Sequence, residues 1–124
     1  MSNLAYFEVP VEDFGRAKKF YQSLLGWKFE KDATMSAAME YWDITTGEPK
    51  EGTLSMGGMY KRQVPGLQIV TYAIVEDVDN ALVKVEKLGG KVLMPKMVID
   101  TVGDVATIRD SEGNVIGIWK PAKK

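Results

Sequence analysis

The chain has 124 residues, of which 45% are hydrophobic and 27% charged, a composition typical of a single globular domain. It contains neither cysteine nor histidine, which excludes disulfides, thiolate metal sites and a Ser-His-Asp triad. Sixteen basic and 17 acidic residues give a net charge of −1, so the charge does not favour nucleic acid or an anionic membrane as a partner. No apolar run approaches the roughly 20 residues that cross a bilayer. The N-terminus has no signal-peptide pattern, and we expect a cytoplasmic protein.

The first half of the chain predicts a strand, a helix and three further strands. Alternating residues predict a strand over Leu4–Val11, with Phe7 and Val9 on its apolar face and Tyr6 and Glu8 on the other. A helix is expected to begin after the N-cap Asp13 and to end at Gly26. Its apolar face comprises Ala17, Phe20, Tyr21, Leu24 and Leu25.

The strands that follow in this half are expected over residues 27–31, 39–46 and 53–61. A loop is expected over Asp32–Ala38 and a turn over 47–52. Gly57-Gly58 precedes no helix, so it indicates a bulge or a close approach of another group and not a phosphate-binding loop.

Val64-Pro65-Gly66 is the candidate internal boundary, and the elements after it repeat those before it. A strand is predicted over Leu67–Val75, and a helix capped by Asp77 or Asp79 ends at Gly89-Gly90. The buried face of this helix is expected to comprise Ala81, Leu82, Val85 and Leu88. Further strands are expected over residues 91–94, where Pro95 ends the strand, over 97–102 and, as the last strand, over 115–120. Residues 104–110 and a turn at 111–114 precede that last strand.

Superposing Asp13 on Asp77, 64 residues later, also brings Ala17 onto Ala81 and Gly26 onto Gly90. Each half therefore has the order β-α-β-β-β, and one such repeat cannot bury its own apolar face. The sequence predicts an α+β fold of two βαβββ modules, about 1–63 and 66–124, within a single domain 1–124. The modules are expected to form curved antiparallel sheets around a cleft, with the helices outside.

Several ordered motifs carry a resemblance to a known family. The first half contains Phe7-Glu8-Val9-Pro10-Val11-Glu12-Asp13, Ala17-Lys18-Lys19-Phe20-Tyr21 and Leu25-Gly26-Trp27. The second contains Val75-Glu76-Asp77-Val78-Asp79-Asn80-Ala81, Leu88-Gly89-Gly90 and Arg109-Asp110-Ser111-Glu112-Gly113-Asn114. Together they resemble the vicinal-oxygen-chelate superfamily of glyoxalase I, bleomycin-resistance proteins and extradiol dioxygenases. Within it, the chain is most similar to small glyoxalase-related proteins.

This resemblance implies four candidate metal-ligand positions, on the first and last strands of each module. In this chain they fall on Tyr6, Gly58, Val70 and Gly117. Glycine and valine have no side-chain ligand atom and a neutral tyrosine is a poor ligand, so we expect neither a metal nor another cofactor. The alternative is an unusual divalent-metal site that combines Glu8 with Glu40 or Asp43.

Glu8 is the candidate catalytic residue, because a carboxylate on an inner strand is costly unless it is paired or functional. Its structural interpretation is a bond to Arg109, Lys28 or Tyr72. Arg109 could itself bind an anionic group, or pair with Asp110 or Glu112. The aromatic residues of the strands, among them Trp42 and Tyr60, could line a pocket or fill a core. The predicted ligand-binding cleft comprises Tyr6, Glu8, Met56, Tyr72, Thr107 and Trp119.

The predicted function is metal-independent binding of a small organic ligand, as the resemblance to bleomycin-resistance proteins implies. One alternative is a lyase or isomerase that uses Glu8 as acid/base or in an unusual metal site. Another is an interaction protein whose cleft is filled by its own side chains. The resemblance and the exposed edges of such sheets imply a homodimer. No nucleic-acid or membrane partner is expected.

Overall fold

The structure is a computed structural model that describes residues 1–35 and 39–123. Residues 36–38 of the predicted loop lie outside the described residues. The element order is β-α-β-β-β twice, as the repeat predicts. The bounds are β1 Leu4–Val11, α1 Phe14–Leu25, β2 Lys28–Lys31, β3 Tyr41–Thr45, β4 Met56–Lys61, β5 Val70–Ile74, α2 Val78–Lys87, β6 Lys91–Ile99, β7 Gly103–Arg109 and β8 Val115–Pro121.

The chain forms two compact units. The first unit is Tyr6–Ile69, and the second comprises Met1–Ala5 and Val70–Lys124. Strand order in the first is β2-β3-β4-β1, and in the second β5-β8-β7-β6. The α+β class is confirmed, and the assignment of the modules to one domain stays a prediction.

Each unit contains a mixed sheet, which corrects the expectation of antiparallel sheets. The first and last strands of each unit, β1 with β4 and β5 with β8, pair in parallel, and the other pairs are antiparallel. The helix and the two hairpins reverse the chain four times between those strands, so the last runs in the direction of the first.

The core of the first unit lies between α1 and one face of its sheet. Asp13 caps α1 by accepting from the Arg16 N–H at 2.9 Å, and Gly26 ends it at φ 71°. The predicted helix face is partly wrong, because Phe20 is 58% and Leu24 65% exposed, and Leu25 is also exposed. The stripe that contacts the sheet begins one turn earlier, at Phe14. The core residues are Phe7, Val9, Val11, Ile44 and Met59, packed against Phe14, Ala17, Tyr21, Trp27, Phe29 and Trp42.

In the second unit, α2 covers the sheet through buried Val78 and Val85. Asp77, not Asp79, is its N-cap. Leu88 was predicted to be buried but is 75% exposed. It lies at the C-cap of α2, beyond the last turn that packs on the sheet.

The two strands predicted on either side of Pro95 form one strand, β6, with register shifts on both sides of that residue. In this unit β6 pairs only with β7. The irregular β6–β7 register can therefore accommodate Pro95, which has no backbone N–H to donate. Among the described residues, no helix has the length and apolar character needed to cross a membrane.

Candidate functional site

The sheet of the first unit has a polar face on the side opposite α1. Strand alternation directs Phe7 and Val9 toward the core and Tyr6 and Glu8 to the other side. Glu8 lies opposite Gly58 of β4, and Gly58 lies opposite Asp43 of β3. We call this surface the polar face and define it by Tyr6, Glu8, Tyr41, Asp43 and Tyr60.

Glu8 is held at the polar face by a tyrosine from another strand. The Tyr41 hydroxyl donates to Glu8 Oε2 at 2.7 Å and lies 2.8 Å from the Tyr6 hydroxyl. Tyr41 is 3% exposed, so this bond forms where water competes little. Tyr41 was not among the partners expected for Glu8.

Gly58 gives Tyr41 the room to reach Glu8. A Cβ atom at position 58 would lie 1.7 Å from the Tyr41 hydroxyl oxygen. Tyr41 pairs with Tyr60, two residues beyond Gly58 on β4. The Tyr41 side chain therefore extends along the sheet, from its own pairing position to the one at Gly58. On the core side, a Cβ at Gly57 would meet the Phe7 ring at 2.5 Å. Gly57-Gly58 therefore marks close approach by two aromatic rings, one on each face of β4.

Burial controls the ionisation of the tyrosines on the polar face. It raises the pKa of Tyr6 and Tyr41 far above the usual range, and the negative charge of Glu8 raises both further. Burial and Glu8 raise the pKa of Tyr60 to about 12. All three phenols are therefore neutral near pH 7.

Asp43 belongs to an acidic group at the same face. Burial raises its pKa to about 6, and a hydrogen bond to Asp32 and the charges of Asp32 and Glu30 act in the same direction. Asp32 also accepts from the Met35 N–H at 2.9 Å. Asp43 thus changes its charge close to neutral pH.

The second unit has a comparable row of residues. Tyr72, Gly117 and Thr107 are paired across β5, β8 and β7. A Cβ at Gly117 would lie 2.3 Å from the Tyr72 ring. Thr107 is 3% exposed, and its hydroxyl has no hydrogen-bond partner among the described residues. Trp119 Nε1 donates to the Val102 carbonyl at 2.9 Å.

The predicted cleft residues therefore divide into two sets. Tyr6, Glu8 and Met56 belong to the first unit, where Met56 is 56% exposed. Tyr72, Thr107 and Trp119 belong to the second unit.

Other candidates have structural roles. Trp42 packs on the core side of the first sheet, with the Lys18 Nζ 3.5 Å from its ring centre. Its Nε1 donates to Glu40. Arg109 donates to the Gly113 carbonyl at 2.9 Å, a partner that the sequence did not predict.

The residues at the four implied ligand positions do not fit a divalent metal. Tyrosine rings occupy the side-chain volume at Gly58 and Gly117, Val70 is apolar, and the Tyr6 phenol stays neutral. Within residues 1–35 and 39–123, no three acidic side chains form a group that could hold a metal ion.

The sequence contains only a weak indication that Tyr41 crosses a glycine to reach Glu8. An aromatic residue on a strand next to a Gly-Gly strand is compatible with a ring crossing the glycine. The same pattern fits ordinary core packing, and the register that brings position 41 to position 8 is set by strand pairing alone.

Comparisons with known proteins agree on one fold family. Residues 4–47 match the profile of the family described as bleomycin resistance protein-like N-terminal. A glyoxylase-like domain-containing protein of Didymella fabae is 31% identical over 122 residues, covering 94% of this chain and 92% of that protein. The glyoxylase-named protein CFP32 of Mycobacterium tuberculosis is 30% identical over 117 residues, 93% of this chain. The chain spans 44% of the length of CFP32.

Solved structures share the fold at low sequence identity. Methylmalonyl-CoA epimerase from Mycobacterium tuberculosis matches with a TM-score of 0.65 at 15% identity, covering 97% of this chain and 88% of that one. A protein from Bacillus halodurans matches with a TM-score of 0.70 at 14% identity, covering 99% and 96%.

Proposed function

Because the chain belongs to the vicinal-oxygen-chelate superfamily, we propose that it uses this fold to bind a small organic molecule without a metal ion. The ligand contacts the polar face of the first unit, with Glu8 as its principal anchor. The observation that carries the proposal is Tyr41, whose hydroxyl takes the side-chain volume of position 58 and bonds to Glu8.

The chemistry of the polar face supports this proposal. It combines a carboxylate that is held in place by Tyr41 with the half-buried ring and hydroxyl of Tyr6. Exposed Met56 adds a flexible apolar surface. A few fixed polar groups beside apolar surface are typical of small-molecule sites. The contributions of Tyr72, Thr107 and Trp119 to ligand binding stay predictions.

A thermal-shift screen of small organic molecules and divalent ions tests the proposal. We expect an organic compound to stabilise the protein, since a ligand that binds only the folded state raises the unfolding temperature. Glu8→Gln should lower the affinity for that compound roughly tenfold or more, which is the usual effect of losing a hydrogen bond to a charged group. Glu51→Gln, in an exposed turn, is the matched control. Stoichiometric Mn²⁺ or Ni²⁺ binding, or unchanged affinity in Glu8→Gln, would contradict the proposal.

A metal-free acid/base enzyme is the second candidate function. The hydrogen bonds from Tyr6 through Tyr41 to Glu8 favour it, because they connect a carboxylate to two neutral hydroxyls. Incubating each compound from the screen in D₂O and following its C–H signals by NMR tests for proton abstraction. Deuterium incorporation that Glu8→Gln abolishes would establish an enzyme, and its absence for every bound compound would favour the binding protein.

The proposal includes assembly as a homodimer and a cytoplasmic location. Exposed Phe20 and Leu24 on α1 supply an apolar surface that a second copy could cover. The lack of cysteine suits a reducing compartment.

A further inference from the structure

The hydrogen bonds among Glu8, Tyr41 and Tyr6 have a defined direction when Glu8 is ionised. A tyrosine hydroxyl carries one hydrogen, and that of Tyr41 points to Glu8 Oε2 at 2.7 Å. Tyr41 can therefore only accept in its 2.8 Å bond with Tyr6. The Tyr6 hydrogen points toward Tyr41, and any other group that meets the Tyr6 oxygen must do so as a donor.

Protonation of Glu8 permits the opposite direction. A neutral Glu8 can donate its new hydrogen to Tyr41, which then donates to Tyr6, and Tyr6 can turn its own hydrogen outward. Glu8 takes up one proton from solvent, and the two hydroxyls rotate without gaining or losing a proton. No bond to carbon changes.

We propose that Glu8, Tyr41 and Tyr6 form a hydrogen-bond relay in which Tyr41 transmits the protonation state of Glu8 to the Tyr6 hydroxyl. Tyr41 suits this role because it is 3% exposed and contacts both partners. It is a positioning residue, since it acts through Glu8 and Tyr6 and not on a ligand.

Other titratable groups on the surrounding elements also influence the relay. On β3 and the segment before it these are Asp43 and Asp32, whose charges act on Tyr6. On β4 the titratable group is Tyr60, and just beyond the end of this strand lies Arg62, which forms an ion pair with Glu12. Of these, Asp43 alone has a pKa raised to about 6, so the test must separate its titration from that of Glu8.

The relay also specifies the ligand chemistry, a step that rests on the proposed function. While Glu8 is ionised, a ligand that meets Tyr6 must offer a hydrogen-bond donor. This favours molecules with a hydroxyl, amide N–H or ammonium group over matched molecules with acceptors alone.

NMR titration of the ligand-free protein tests the relay directly. The protein carries ¹³C at the tyrosine ring carbon that bears the hydroxyl and at the glutamate carboxyl carbons, in an Asp43→Asn background. We expect the Tyr6 signal to shift at the pH at which Glu8 titrates. In Tyr41→Phe, Glu8 should titrate at a higher pH, because its ionised form has lost a donor, and the Tyr6 shift should disappear.

Two further variants complete the test. Tyr60→Phe removes a neighbouring phenol that is stacked on Tyr41, and it should leave the Tyr6 response intact. Glu8→Gln removes the titrating carboxyl group, so the pH-dependent shift of the Tyr6 signal should disappear. This variant tests the relay even if Tyr41→Phe folds poorly. A Tyr6 shift that persists in Tyr41→Phe or Glu8→Gln, or that is absent from the background protein, would overturn the relay.

Phenol and anisole test the ligand preference, because anisole has a methyl group in place of the hydroxyl hydrogen that phenol can donate. At a pH above the measured titration of Glu8, we expect phenol to bind several-fold more tightly by saturation-transfer NMR, and Tyr41→Phe to reduce this ratio. Equal binding of the two would overturn the preference for donors. Binding of neither would count against the proposed function at this face, while the ligand-free titration would still decide the relay.

Discussion

The buried hydroxyl of Thr107 has no hydrogen-bond partner among the described residues. Its neighbours across the sheet are Met94, whose thioether sulfur is only a weak acceptor, and Gly117, which has no side chain. A buried hydroxyl without a partner costs about 1–3 kcal/mol of stability. Retaining such a group makes sense where a bound molecule completes its hydrogen bonding, which fits the predicted role of Thr107 in ligand binding.

Thr107→Val should therefore stabilise the ligand-free protein by up to about 1 kcal/mol, because the apolar methyl replaces an unsatisfied hydroxyl of similar shape. Urea unfolding measures the change. Thr46→Val is the matched control, since the Thr46 hydroxyl donates to the Leu54 carbonyl at 3.0 Å, and its loss should destabilise the protein by about 1 kcal/mol. Equal destabilisation by both variants would show that Thr107 already has a partner in solution.

Asp43 should make the stability depend on pH. Its pKa of about 6 in the folded protein lies above the ordinary value of 3.8. Its stabilising contribution is therefore complete below pH 3.8 and is lost as the pH rises through about 6. Asp43→Asn, which keeps a donor toward Asp32, should raise the urea midpoint at pH 7.5 more than at pH 4.5. The same gain at both pH values would refute this assignment.

Strand β4 illustrates the constraints on a whole element. Its Gly57-Gly58 pair lets one ring cross on each face while the register with β1 and β3 stays regular. Glycine normally weakens a strand, so the pair is a cost that the two ring contacts offset.

Gly58→Ala should destabilise the protein by about 1–3 kcal/mol, because the new methyl overlaps the Tyr41 hydroxyl. The same substitution in a Tyr41→Ala background should cost much less, since the overlapping ring is gone. Urea unfolding of the four proteins gives the coupling energy. Additive effects of the two substitutions would mean that Tyr41 does not occupy this volume.

At the scale of the whole molecule, α1 carries exposed apolar side chains that bear on the proposed homodimer. The sequence placed Phe20 and Leu24 on the apolar face of the helix, but both are exposed. Arg16 and Lys19 lie beside them and keep the surface amphipathic. The proposed homodimer would cover this apolar pair.

Light scattering at micromolar concentration should give twice the mass of one chain, and Phe20→Ser should reduce it to that of one chain. Val83→Ser on α2 is the control, because Val83 is 64% exposed on the other helix and should leave the mass unchanged. A parent protein with the mass of one chain would remove the homodimer from the proposal.

The sequence by itself determined the element order, the two helix starts at Asp13 and Asp77, and the face of β1 that carries Glu8. These features depend on residues a few positions apart, where periodicity and capping act. The sequence did not predict that β6 continues through Pro95. Local rules end a strand at proline, and whether an edge or a bulge accommodates it depends on the strand pairing.

Only the tertiary structure decided what Glu8 contacts. Tyr41 is 33 positions away along the chain. It reaches Glu8 because three strands pair in one register and because Gly58 has no side chain in the volume that Tyr41 fills. Strand register is a long-range property, and the composition of the strands does not specify it until the sheet has formed. The exposure of Phe20 has the same origin, because the turn of α1 that meets the sheet is fixed by packing and not by the helix pattern alone.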